Sequence, residues 1–155
     1  MLSKSFNCPL MPDRCDVKNV IYQADVYDIP NDTMMSYYGL TENEFKARCS
    51  NHKSSIRDRT RPQTTLSSYV WKLKDRETPH VVDWSIKARG HPFSSGGRSC
   101  DLCLTEKLTI LTADQNSTLN KRDELLEACR HRRKHMLVSL IKPPDEEEPP
   151  DTTIK

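Results

Sequence analysis

The stretch from Val20 to Leu40 leaves the chain few choices. In VIYQADVY (20–27) apolar and polar side chains alternate, imperfectly, with the two-residue period of a strand, and MMSYYGL (34–40) is a second β-favouring run. Between them stands DIPNDT, rich in turn formers, so the two runs are expected to pair as an antiparallel hairpin. A helix should follow at once. Thr41 opens T-E-N-E, in which the Thr hydroxyl and a Glu three residues later can each bond the other's backbone amide. On that helix Phe45, Arg48 and His52 share one face, with Cys49 beside Phe45.

After the basic loop RDRTRPQTT, Leu66, Tyr69, Val70 and Leu73 mark a second amphipathic helix, and Pro79 ends that region. VVDWSI (81–86) alternates as a third strand, with Val82, Trp84 and Ile86 on one side. The loop ARGHPFSSGGRS leads into CDLCLTEKLTILTA, a predicted third helix on which Leu104, Leu108 and Leu111 repeat at i, i+4 and i+7. LNKRDELLEACRHRRKHML predicts a fourth, with Leu125, Leu126 and Cys129 facing inward. The order β-β-α-α-β-α-α points to a small α/β domain, a three-stranded, mainly antiparallel sheet flanked by helices. Residues 1–19 are expected to be an irregular, cysteine-containing lead-in, 20–138 the folded domain, and 139–155 a disordered acidic, proline-rich tail.

With 155 residues, 35% of them apolar and 30% charged, the chain suits one compact domain with a thin core and excludes a multidomain enzyme. Something besides burial is expected to help hold it. No stretch reaches the roughly 20 apolar residues of a membrane span, and the start lacks the apolar segment of a signal peptide. The expectation is an intracellular, nuclear protein with no membrane partner. The net charge of +2 hides an asymmetry: PPDEEEPPDTTIK from Pro143 carries five acids and one Lys, and the rest keeps 23 basic and 17 acidic side chains, a net +6. Such a body is compatible with a nucleic-acid partner without requiring one.

Tyr22 on the first strand, Tyr37 and Gly39 on the second, Arg48 and His52 on the first helix, Glu106 on the third and Asn120 before the fourth form an ordered set. The set resembles a GIY-YIG nuclease, with VIY (20–22) at the family's first triplet and YYG (37–39) at the second. The leading NCPLMPDRC and the strings YYGLTENEFKARCSNHKSS, TLSSYVWKLKD, CDLCLTEKL and TLNKRDELLEACRH are similar to the endonuclease region behind the reverse transcriptase of some Penelope-like retroelements. The likeness runs from about residue 8 to residue 135. Without a polymerase region before Met1, the chain is expected to be a fragment of such an element or a free-standing relative. Val20, Tyr38 and Cys49 depart from the family pattern, and none of them removes a catalytic group.

The resemblance implies a metal-dependent DNA endonuclease that nicks a strand, partnered by DNA and by a reverse transcriptase of the parent element. Tyr22 would be the base, its phenol needing a neighbouring cation or metal-bound water to act near neutral pH. Tyr37 would support it or contact phosphate, Arg48 would clamp a phosphate oxygen, and His52 would donate to the same group or relay a proton. Glu106 would hold Mg²⁺ or Mn²⁺, hard cations that prefer oxygen. Asn120 would bond the phosphate or fix the metal site, and Gly39 would admit substrate backbone or the next helix. Arg57, Arg59 and Arg61 after the first helix, with Arg130, Arg132 and Arg133 in RHRRKH, could grip phosphates; RHRRKH reads equally as a nuclear-import signal or a solvated helix end. The competing function is a catalytically inactive nucleic-acid-binding module.

Six cysteines without a secretion signal argue for thiols or a structural Zn²⁺, not for a disulfide framework. Cys8 and Cys15 could join Cys100 and Cys103, or join Cys129 and His131, with Cys49 left as a buried thiol. Ordinary reduced cysteines are the alternative.

Overall fold

The first alternating run becomes the central strand of the sheet. In the computed structural model, which describes residues 16–91, 100–121, 125 and 129, β1 (Val20–Asp28) lies between β2 (Thr33–Thr41) and β3 (His80–Arg89), antiparallel to both. The β1–β2 hairpin turns as its composition demands. Asp28 accepts hydrogen bonds from the backbone and the side-chain amide of Asn31 (3.3 and 2.9 Å), and Asp32 takes the left-handed φ of 48° that an Asp tolerates.

Alternation along β1 sorts its side chains onto two faces. Val20, Tyr22, Ala24 and Val26 pack under α1 (Phe45–Arg57) and α2 (Thr65–Asp75), meeting Phe45, Cys49, Leu66, Val70 and Leu73. Ile21 and Leu40 point the other way and meet α3 (Asp101–Thr112) through Leu102 and Cys103. The small α/β architecture with a three-stranded antiparallel sheet is therefore the one expected. A register shift in β3, where Ile21 faces Ala88 and Tyr22 faces Ile86, leaves Lys87 as an extra residue.

Two local expectations are corrected. The Thr41 capping box does not form: Thr41 is the last residue of β2, paired with Val20, and α1 starts only at Phe45, with no side-chain cap from Glu44. Strand pairing claims the Thr before the helix can. The box occurs instead at α2, where Thr64 and Ser67 exchange side-chain and backbone bonds. On α3 the buried face is Leu102, Cys103, Glu106, Lys107 and Ile110, whereas Leu108 and Leu111 are exposed. Leucines lie on several sides of this helix, so their spacing alone could not choose the side that meets the sheet.

The edge of β2 is covered by the segment after α3. Ser36 donates to Ser117 O and accepts from Leu119 N, both at 2.7 Å. Lead-in residues 1–15 and the tail from 139 lie outside the described residues, as does the predicted fourth helix apart from Leu119, Asn120, Lys121, Leu125 and Cys129. Leu119, Asn120 and Lys121, its expected first residues, are not helical, since Leu119 and Asn120 bond the edge of β2 instead. No described helix is long and apolar enough to cross a membrane.

Candidate functional site

Strand register puts Tyr22 directly opposite Gly39. A Cβ on residue 39 would collide with the Tyr22 hydroxyl and ring, so the glycine is what lets the phenol lie across β2. The group that uses this space is thus the ring of Tyr22 itself, and Gly39 is buried beneath it. The phenol is fully buried amid Tyr37, Phe45, His52 and Trp84, with ring centroids 5.7–6.4 Å from its own.

Two side chains of α1, one turn apart, meet the Tyr22 hydroxyl. Arg48 Nε donates to it at 3.0 Å, and His52 Nε2 lies 2.8 Å away. Because a guanidinium can only donate, the phenol proton is directed to His52 Nε2, which puts the imidazole's own proton on Nδ1. Nδ1 is buried and has no partner among the described residues. Burial, aided by the Arg48 charge, lowers the His52 pKa to about 4, so the imidazole is neutral near pH 7. Burial raises the Tyr22 phenol above its ordinary value, Tyr37 and Glu106 add to that, and Arg48 opposes it.

Glu106, buried on α3, is near enough for its charge to act on both Tyr22 and Arg48. Tyr22, Tyr37, Arg48, His52 and Glu106, spread over 85 positions of sequence, therefore converge. Asn120 stands beside β2: its Oδ1 accepts from Tyr38 N at 2.7 Å, and its Nδ2 donates to Tyr38 O at 2.9 Å. It clamps the strand between Tyr37 and Gly39.

Arg57, expected in the loop after the first helix, is instead the last residue of α1, and the three arginines have different surroundings. Arg59 donates from one nitrogen, Nη2, to both carboxylate oxygens of Asp75 (2.6 and 2.7 Å) and stacks 4.7 Å over Trp71. Arg57 is exposed at the end of α1, and Arg61 lies 3.6 Å from Asp58 and lines an open groove of about 290 Å³ that also contains Arg48, Asn51, His52 and Thr64. Arg130, Arg132 and Arg133 lie outside the described residues. Sequence reasoning misses Asn51 and Trp84 as members of the site. Trp84, 5.5 Å from His52 between ring centroids, is traceable through strand alternation, whereas Asn51 carries no local signal.

On the other face the thiols of Cys100, Cys103 and Cys129 are buried, all within 4.8 Å of one another, with Cys103 and Cys129 Sγ 3.5 Å apart. This cluster could hold a metal ion. It draws on both of the sets between which the sequence could not choose, since Cys129 joins Cys100 and Cys103; Cys8, Cys15 and His131 lie outside the described residues. Cys49 is separate, buried under α1 with its thiol pushed up to about 12 by burial.

Scans against protein-family models, curated proteins and solved structures found no match for this chain.

Proposed function

We propose that the protein is a metal-dependent DNA endonuclease, derived from a retroelement, that nicks a strand by hydrolysing a phosphodiester. The observation that carries this reading is one phenol hydroxyl bonded by both a guanidinium and a neutral imidazole, with a buried carboxylate in electrostatic reach. Ester hydrolysis needs a proton acceptor for water, positive charge on the phosphate, and help for the departing alkoxide. His52 Nε2 is placed to take the Tyr22 proton, and the phenolate so formed, held by Arg48, would take one from water. The resting pair strongly favours the neutral forms, because burial raises the phenol and lowers the imidazole.

Glu106 offers the hard oxygen that Mg²⁺ or Mn²⁺ requires, and such an ion would bring positive charge to the leaving oxygen. Neutralising Glu106 would also remove one of the influences that raise the Tyr22 phenol. Arg48 would keep its Nε on the Tyr22 oxygen and turn its two terminal nitrogens to a phosphate oxygen as substrate arrives. Asn120 acts here as a positioning residue, through its clamp on the strand between Tyr37 and Gly39.

The thiol cluster suits a structural Zn²⁺. Zinc–sulfur bonds near 2.3 Å in a tetrahedron put ligand sulfurs about 3.8 Å apart, close to the observed spacing. Such an ion would steady α3, which carries Glu106 three residues after Cys103.

One observation favours the second reading, a non-catalytic nucleic-acid-binding module: the Tyr22 hydroxyl is buried and its phenol raised. Supercoiled plasmid incubated with Mg²⁺ or Mn²⁺ separates the two. Nicking by the parent but not by Glu106→Ala or Tyr22→Phe supports the enzyme, and salt-sensitive binding without cleavage supports the module.

A further inference from the structure

Arg48 and Asn51, one turn apart on α1, form a wall shared by two grooves. One, of about 290 Å³, runs past His52, Ser54, Arg61 and Thr64; the other, of about 240 Å³, runs past Leu40, Thr41, Glu42, Asn43 and Ala47. The first groove therefore begins at the two side chains that hold the Tyr22 hydroxyl and leads to a second cation, Arg61. The second groove adds no cation to Arg48 and contains the carboxylate of Glu42.

We infer that the groove from Arg48 to Arg61 seats the phosphodiester backbone of one DNA strand beside the cut, with Arg61 and Asn51 as phosphate contacts; this rests on the nuclease reading above. The chemistry of the walls favours it. Arg61 supplies charge, the Asn51 amide and the Thr64 hydroxyl supply neutral hydrogen bonds, and this mixture of donors is common at phosphate backbones. Arg61 can make such a contact at small cost, because its pairing with Asp58 is long at 3.6 Å and solvent-exposed, so little is lost when the guanidinium turns to a phosphate. Arg59, fixed between Asp75 and Trp71, is not available in the same way. The Glu42 groove would repel a continuous run of phosphates, so the strand's strongest grip lies on the Arg61 side of the reacting ester.

The test is a salt titration of binding by the full chain to a fluorescently labelled DNA duplex, without added divalent cation so that no cleavage intervenes. Arg61→Ala, Asn51→Ala and, as a charge-loss control on the exposed face of α2, Lys72→Ala are compared with the parent; all three positions are exposed. Arg61→Ala is expected to reduce the slope of log affinity against log salt by about 0.9, the value for one lost phosphate contact on duplex DNA. Asn51→Ala should weaken binding with the slope unchanged, and Lys72→Ala should change neither. If the parent binds but Arg61→Ala keeps its slope, or Lys72→Ala loses as much, the groove assignment fails while the nucleic-acid reading stands. If the parent does not bind the duplex at any salt concentration, the groove assignment and the nuclease reading fall together.

Discussion

On the α1/α2 side of the sheet, Tyr22, Tyr37, Phe45, His52 and Trp84 pack with ring centroids 5.5–6.4 Å apart, over a floor of Val20, Ala24 and Val26. On the α3 side, the described core is Ile21, Leu40 and Leu102 with three thiols, and Ala88 packed against them. The first face has enough apolar surface to hold itself and to enclose polar groups, each aromatic pair adding about 0.5–1.5 kcal/mol beyond its burial. The second is small. A face built from few aliphatic side chains gains most from a cross-link, and three convergent thiols are the means present. The candidate site lies where the faces meet, with its phenol and imidazole from the aromatic side and its carboxylate from the thiol side.

The contrast can be tested most sharply at the site itself. If both faces contribute to one reaction, Tyr22→Phe and Glu106→Ala should each lower the plasmid-nicking rate by roughly 10²–10⁴-fold, with unchanged circular dichroism. Loss in one variant but not the other would place the chemistry on a single face.

Removal of metal should next separate the faces by stability. Cys103→Ser is expected to cost on the order of 4 kcal/mol or more in urea unfolding, against about 1 kcal/mol for Cys49→Ala on the aromatic side. Purified protein should contain about one equivalent of zinc per chain, and chelation should lower its Tm. Equal costs for the two cysteines, with no bound zinc, would end the idea of a metal-held face.

Acid should act on the aromatic face through His52. Its folded pKa of about 4 lies below the ordinary 6.5, so below pH 6.5 the unfolded chain takes up a proton that the folded one refuses. The stability due to neutral His52 is fully present above pH 6.5 and falls as the pH drops towards 4, by up to about 3 kcal/mol. Unfolding measured at pH 7 and pH 4.5 should show a fall in the parent that is smaller by that component in His52→Phe. An equal fall in both would mean that His52 takes up its proton as readily in the folded chain as in the unfolded one.

The smallest expected effect is at residue 39. Gly39→Ala forces its methyl group against the Tyr22 ring and should cost about 1–3 kcal/mol, as overpacking does. Nicking should fall further than stability does, because the displaced group is the hydroxyl itself. An alanine variant as stable and active as the parent would show that Tyr22 has room to move.

Much of the frame is legible from neighbouring residues. Alternation marks β1 and the parity of Val82, Trp84 and Ile86, and the turn formers of DIPNDT mark the hairpin. The spacing of Arg48 and His52 puts them on one helix face, and both reach Tyr22. Less legible is anything decided by competition between elements. Thr41 has the chemistry of a helix cap and serves as a strand residue, because pairing with Val20 uses it first. The leucines of α3 suggest one inward face, yet its buried side carries Glu106 and Lys107, a polar pair that apolar spacing cannot reveal. The distinct roles of Arg59 and Arg61 are equally invisible, since each depends on a partner supplied by the fold: Asp75 and Trp71 for one, an open groove for the other.

The sequence by itself determined the strands, the hairpin turn and the residue types available for chemistry, because these follow from side chains a few positions apart. Only the tertiary structure decided that Gly39 faces Tyr22, that the charge of Glu106 reaches the same hydroxyl, and that Cys129 joins Cys100 and Cys103. Those are distances between elements, fixed by strand register and by which helix face buries, and no local pattern encodes them.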